Sequence, residues 1–107
     1  MIKVVNKYSY KSKGEIEIDI MRGKSVLGNP FIMRDSSDSE RDRVCDLYAE
    51  WLRAQYKKKG VVFQELNYIA RLVEVGENVV LKCCCKPKRC HGDFIIQAIN
   101  GINKNRS

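Results

Sequence analysis

The sequence predicts a single α/β domain, and three observations carry that prediction. Its 107 residues are the length of one domain. Short β-branched or strictly alternating runs are interleaved with segments of helical spacing. The chemically densest stretch, residues 79–96, begins as an apolar run of strand length and ends in helical spacing, with a short turn between. α/β proteins commonly place a site where a strand passes through such a turn into a helix. The turn holds Cys83, Cys84, Cys85, Cys90, the sole histidine His91, Pro87 and the cations Lys86, Lys88 and Arg89.

Ile2 to Val5 is a short β-branched run and reads as the first strand. Residues 7–14 are polar and basic and form a loop turning at Gly14. Residues 15–20 alternate strictly, with Ile16, Ile18 and Ile20 on one face and Glu15, Glu17 and Asp19 on the other, so this strand has one wet side. Residues 21–38 carry no period, yet Gly28, Asn29 and Pro30 fix the backbone, since a residue before proline is driven out of the helical region. Leu27 and Phe31 would anchor this loop, and Arg22 and Lys24 stand beside it.

Ser37-Asp38-Ser39-Glu40 has the form of a capping box, with Ser37 capping and Glu40 reaching back. The helix it opens runs over about residues 39–59, with Val44, Leu47, Tyr48, Trp51, Leu52 and Tyr56 as its buried stripe and Gly60 as its stop. Arg41, Asp42, Asp46, Glu50 and Arg53 fall largely outside that stripe, and Cys45 reads as a bystander. A second helix spans about residues 62–73, and Gly76-Glu77-Asn78 is a turn. The third strand, from Asn78 to Cys83 or Cys84, is apolar enough for the centre of a sheet. A final helix covers residues 94–102, leaving 103–107 as a flexible tail on an ordered core of 1–102.

Twenty Lys and Arg against thirteen Asp and Glu give a net charge of +7, which fits an anionic partner or plain solubility. No apolar run approaches the roughly twenty residues of a membrane span, and the start lacks the apolar core of a signal peptide. Five cysteines, three of them consecutive, make a poor disulfide framework, so the thiols are expected to be reduced and the compartment cytoplasmic.

Three chemistries compete for the cysteine–histidine turn. Cys83, Cys85, Cys90 and His91 offer the four donors of a structural zinc site, but the first pair is separated by one residue and the last pair is adjacent. On that spacing the expectation is no cofactor and less than stoichiometric zinc, with this quartet as the alternative. Cys90, among cations at a helix start, has the setting of a thiolate nucleophile, and His91 and Asp93 are further candidates for catalysis. Lys86, Lys88, Arg89 and the free N–H groups of the last helix could hold a phosphate, with Gly92 admitting close approach and Asp93 suiting a ribose hydroxyl. Cysteines packed as small hydrophobes would explain Cys84 and Cys45, though not the density of the turn.

Asp19-Ile20-Met21-Arg22 leading to Leu27-Gly28-Asn29-Pro30-Phe31, the segment around Tyr48 and Trp51-Leu52, and Cys83 through Asp93 follow one another in a recognisable order. Together they resemble the phage and bacterial family called domain of unknown function 4326. Its pattern is an arginine, then Gly-Asn-Pro-Phe, a Tyr…Trp-Leu helix, and Cys-x-Cys-x-Pro-x-x-Cys-His-Gly-Asp. The resemblance spans about residues 2–102, and its one departure is Cys84, where tryptophan is frequent. It implies a small three-layer, Rossmann-like domain with a central, mostly parallel sheet and about three helices. It also implies a phage origin, hence the host cytoplasm, and one site formed by the two motifs facing each other across the sheet's edge.

The expected function is therefore binding of a nucleotide-derived, ADP-ribose-like anion, to sequester or process a host signalling nucleotide as counter-defence. The expected ligand-binding residues are Arg22, Gly28, Asn29, Pro30, Cys85, Cys90, His91, Gly92 and Asp93, with Arg22 gripping phosphate. Replacing Arg22 or Asp93 should then abolish binding and leave stability nearly unchanged. Whether chemistry occurs is left open. The alternatives are an interaction protein that inhibits a host enzyme and a nucleic-acid binder. For the latter, Tyr8 and Tyr10 among lysines could stack on bases, but no complete nucleic-acid-binding motif is present.

Overall fold

Six elements follow one another in the computed structural model, which describes residues 1–86 and 88–106, Arg106 for its backbone alone. They are β1 (Ile2–Asn6), β2 (Ile16–Asp19), α1 (Asp38–Lys58), α2 (Val61–Glu74), β3 (Val79–Cys83) and α3 (Gly92–Arg106). The strands form a parallel sheet in the order β1-β3-β2. Central placement suits β3, whose Val79, Val80, Leu81 and Cys83 are all buried. Ile2 of β1 and Ile16 of β2 both sit level with Val79, so the carboxyl ends of all three strands reach the same edge.

The alternation in each strand sorts the two faces. Ile20, Val79, Leu81 and Cys83 join a core with Tyr48 and Leu52 of α1, Leu66, Ile69 and Ala70 of α2, and Ile95, Ile99 and Ile102 of α3. Ile2, Val4, Ile16 and Ile18 pack against the same core. On the other face Lys82 pairs with Glu17 at 3.1 Å and Lys7 with Asp19 at 2.8 Å. Residues 7–15 fold toward that face: Lys3 sits over the Tyr10 ring, and the Tyr10 hydroxyl donates to Glu15. The sheet thus lies between the helices and this loop, in a small α/β domain.

Several boundaries differ from the sequence expectation for local reasons. Ser37 caps α1 by accepting from the Glu40 N–H, but Glu40 does not complete the box. Asp35 takes the Ser37 N–H instead, and the buried Glu40 carboxylate collects the Arg34 N–H and the guanidinium groups of Arg34 and Arg43. The left-handed residue ending α1 is Lys59, at φ 60°, rather than Gly60, which becomes the N-cap of α2. Lys59 keeps that geometry with its ammonium over the rings of Tyr56 and Phe63, which supplies a cation–π contact. α3 begins at Gly92 and continues through Arg106, beyond the expected stop at Ile102. Asn103 is held there by donating to the Ala70 carbonyl, so 103–106 extend the helix rather than forming a tail; Ser107 lies outside the described residues.

Two changes test this account. The Tyr48 hydroxyl, fully buried, donates to the Leu27 carbonyl at 2.7 Å. Tyr48→Phe leaves that carbonyl without its partner and should cost about 1–3 kcal/mol in denaturant unfolding; an unchanged midpoint would contradict the assignment. Glu40 is held well below the usual carboxylate range by hydrogen bonds from Arg43 and then Arg34. Its contribution is present above the unfolded-state value of about 4.3 and disappears as pH falls toward the folded value. Glu40→Gln should therefore melt earlier than wild type at pH 7, and the gap should narrow by pH 3.

Candidate functional site

The loop after β2 is built from two successive turns. The Lys24 N–H donates to the Met21 carbonyl at 3.0 Å, with Gly23 at φ 79°, and the Gly28 N–H donates to the Ser25 carbonyl at 3.0 Å. Gly28 is required by proximity: a Cβ there would lie 2.8 Å from Arg22 Cα and 2.9 Å from the Met21 oxygen, backbone atoms that cannot swing away. Leu27 is fully buried and anchors the loop, and the Asn29 carboxamide oxygen accepts from the Phe31 N–H at 2.9 Å, fixing the bend before Pro30. Arg22 closes the arrangement. Its Nε donates to the Asn29 carbonyl and its Nη2 to the Phe31 carbonyl, both at 3.0 Å. A bidentate grip of Arg22 on a phosphate would have to compete with these two bonds to its own loop.

At the adjoining edge, β3 ends at Cys83, and the turn brings Cys90 back beside it. The sulfurs of Cys83, Cys85 and Cys90 lie within 4.8 Å of one another. The spacing argument against convergence does not hold for these thiols, because the bend between β3 and α3 folds residues 85 and 90 toward the strand's end. Cys84 points outward and is exposed. His91 is buried, with Nε2 2.8 Å from the Ile20 carbonyl and Nδ1 3.7 Å from Cys90 Sγ. Its ring meets the Tyr48 ring edge-on, and burial holds its pKa below the ordinary imidazole value.

The three thiols titrate against one another. Hydrogen bonds from Cys85 and Cys90 hold Cys83 far below its ordinary value. The same bond to Cys83 pushes Cys85 up to about 11 and, with burial, drives Cys90 higher still. The setting expected for a Cys90 thiolate nucleophile is not met, because the group is buried and its pKa is raised by its bonds to Cys83 and Cys85 and by burial.

The cations of the turn are also committed. Lys86 pairs with Asp93 at 2.8 Å, Arg89 spans Asp42 and Asp46 of α1 at 3.0 Å each, and Lys88 stands 3.8 Å from Asp38. Asp93 accepts from Lys86 and faces the Cys90 N–H, so its carboxylate caps the turn. Gly92 packs against Val4 and Ile20, where a Cβ would lie 2.8 Å from Val4 Cγ2.

Among the described residues, a cavity of about 260 Å³ opens at this edge, lined in part by Arg22, Asn29, Cys85 and His91. Gly28, Pro30, Cys90, Gly92 and Asp93 are not among its walls. The walls that sequence reasoning missed include Met21, Ile32, Met33, Arg41, Val44, Cys45 and Cys84. Arg41 was placed on the wet side of its helix, yet it precedes Val44 by three residues, Cys45 by four and Tyr48 by seven, which is the buried stripe itself. Its Nε is buried with no hydrogen-bond partner, and no carboxylate among the described residues pairs with it. A neighbouring cleft of about 520 Å³ shares Met33, Arg41, Cys84 and Cys85 and adds Lys86 and Lys88.

Comparison with known proteins adds kinship. A family model described as Domain of unknown function (DUF4326) matches residues 4–101. The chain is also similar to an uncharacterized 12.4 kDa protein of the nrdA-td intergenic region of Enterobacteria phage T4, 28% identical over 105 residues, covering 98% of this chain and 83% of that protein. No solved structure matches.

The loop geometry is open to two substitutions. Arg22→Ala should raise amide hydrogen exchange at residues 28–32 while barely moving global stability; unchanged exchange would show that the two carbonyl bonds do not order the loop. Gly28→Ala meets backbone rather than a flexible side chain, and about 1–3 kcal/mol of destabilisation is expected by denaturant titration.

Proposed function

The chain belongs to the family described as domain of unknown function 4326, and from the cavity we propose that it binds a nucleotide-derived anion of the ADP-ribose type. The observation that carries this reading is Arg41, a guanidinium without a carboxylate partner, standing where the apolar cavity meets the cationic cleft. Arg41 is half-buried, its Nη1 faces the Met33 sulfur at 3.8 Å and its buried Nε has no partner, so an anion would complete what the protein leaves unmade. The cavity of about 260 Å³ is small for a ligand pocket on its own, and the adjoining cleft supplies the remaining room. A base would lie among Met21, Phe31, Met33 and Val44, with Asn29 offering its carboxamide N–H groups to the base edge. The phosphates would lie toward Arg41. The site stands at the carboxyl edge of a parallel sheet, where ligands of open α/β sheets commonly enter.

Retention of the ligand is favoured over turnover. His91 Nε2 is engaged by Ile20, Cys90 is buried, and Asp93 is paired with Lys86, so none of the three stands ready against a ligand. Sequestration of a host signalling nucleotide as counter-defence, in the host cytoplasm, follows as the proposed biological role, and the phage relative supports that setting.

Titration calorimetry with ADP-ribose and AMP, paired with native mass spectrometry and chromatography of the recovered nucleotide, tests the reading. The wild type should hold ADP-ribose and return it intact. Arg41→Ala should weaken binding at least about tenfold, the scale of one lost charge-assisted hydrogen bond, with little loss of stability. Asp93→Ala should bind nearly as wild type. Equal affinity of Arg41→Ala and wild type, or no binding of either nucleotide, would remove the proposal; hydrolysed product would replace sequestration with catalysis.

A further inference from the structure

The three converging thiols are not explained by nucleotide binding, nor by packing. Cys45 shows how this protein buries a cysteine as a small hydrophobe, alone in a helix face, and Cys84 shows one turned to solvent. Cys83, Cys85 and Cys90 come from the end of a strand, the turn after it and two residues ahead of a helix, and their sulfurs converge. They are the only group of three or more metal-ligating side chains brought together among the described residues.

Their surroundings suit thiolates. The Cys85 N–H donates to Cys83 Sγ at 3.3 Å, and the Gly92 N–H donates to Cys90 Sγ at 3.4 Å. Hydrogen bonds from backbone amides favour the charged form of an acceptor. Sulfurs around a tetrahedral zinc ion, each about 2.3 Å from the metal, stand about 3.8 Å apart. The observed separations, all within 4.8 Å, need a contraction of at most about 1 Å to reach that geometry.

His91 stands beside this trio, next to Cys90. A carbonyl oxygen only accepts, so the 2.8 Å contact with Ile20 places the imidazole proton on Nε2 and leaves the lone pair on Nδ1. Nδ1 lies 3.7 Å from Cys90 Sγ, close to the roughly 3.6 Å expected between nitrogen and sulfur on one tetrahedral zinc. A histidine whose second nitrogen donates to a backbone carbonyl is the usual arrangement around a bound metal, because that bond fixes the tautomer and orients the ring.

We propose that Cys83, Cys85, Cys90 and His91 Nδ1 form a binding site for one thiophilic divalent cation of the zinc class. Binding releases the thiol protons to solvent and leaves a complex of three thiolates, one neutral imidazole and one dication, with net charge −1. Cys83, Cys85 and His91 also line the cavity, so the ion would brace one wall of it. The metal site does not depend on the identity of the ligand.

The full chain, purified without chelator from zinc-supplemented cells, should carry one zinc by native mass spectrometry. After chelator treatment it should take up one cobalt(II), with thiolate charge-transfer absorption in the near ultraviolet and the visible bands of a tetrahedral ion. No nucleotide is present in either measurement, so this outcome is separate from that of the calorimetry. Cys85→Ser, at the half-buried member of the set, should lose the metal or weaken it by more than about a hundredfold, the upper end of what loss of an outer-shell partner alone costs, and His91→Gln should shift the visible bands. Cys84→Ser and Cys45→Ser should bind as wild type. The proposal fails if the folded protein takes up neither zinc nor cobalt(II), if Cys84→Ser loses as much affinity as Cys85→Ser, or if the freshly purified chain carries a disulfide among the three thiols in place of metal.

Discussion

The contact between His91 and the Ile20 carbonyl is the constraint on which the arrangement of this domain turns. Ile20 is where β2 runs out, and its carbonyl faces inward with no strand left to pair it. A buried carbonyl without a donor costs on the order of a lost hydrogen bond. His91 supplies the donor at 2.8 Å, and in doing so ties the start of α3 to the end of β2 across the edge of β3. Tyr48 of α1 packs edge-on against the same ring and reaches the Leu27 carbonyl with its hydroxyl, so a third element is drawn to this point. The loop 21–31, the cysteine turn and two helices are thereby held around one small volume.

Charge in this protein is spent locally. A net charge of +7 invites a reading of broad anion attraction, yet the cations of the cysteine turn each have a carboxylate at hand. Arg89 reaches two acids of α1, which fastens the turn to the helix, and Lys86 and Asp93 close a short loop between turn and helix. What distinguishes a binding cation here is the absence of such a partner, and proximity in sequence to a motif is a poor guide to that. Arg22 stands beside a conspicuous motif and serves its own loop. Arg41 stands beside none and faces the cavity.

The fold was largely legible in the sequence because its signals are local. Alternation over Ile16, Ile18 and Ile20 gave the sided strand, the apolar run at Val79 to Leu81 gave the central one, and Ser37 marked the start of α1. Where reading failed, a tertiary partner overrode a local rule: Arg43 and Arg34 drew Glu40 away from its cap, and Lys59 took the left-handed turn because two rings lie under its ammonium. The cavity was legible in part. Its loop and turn announced themselves by Gly28, Asn29, Cys85 and His91, but Asp93 and Gly92 have equally distinctive identities and serve packing and capping. The convergence of Cys83, Cys85 and Cys90 depends on the path of a bend, which residue spacing does not encode.

The strand order has a consequence for synthesis of the chain. β1 and β2 do not touch; each pairs only with β3, the last strand in the sequence. While the first 78 residues emerge from a ribosome, neither early strand has a ladder partner, and Ile2, Val4, Ile16 and Ile18 have no sheet in which to bury. The helices can form early, being local, but the sheet must wait for a strand that inserts between two others already made. Such non-local pairing slows folding and prolongs exposure of unpaired edges. The polar side chains of Lys3, Glu17 and Asp19 along those early strands suit that interval, since charge on an unpaired strand discourages association with another chain.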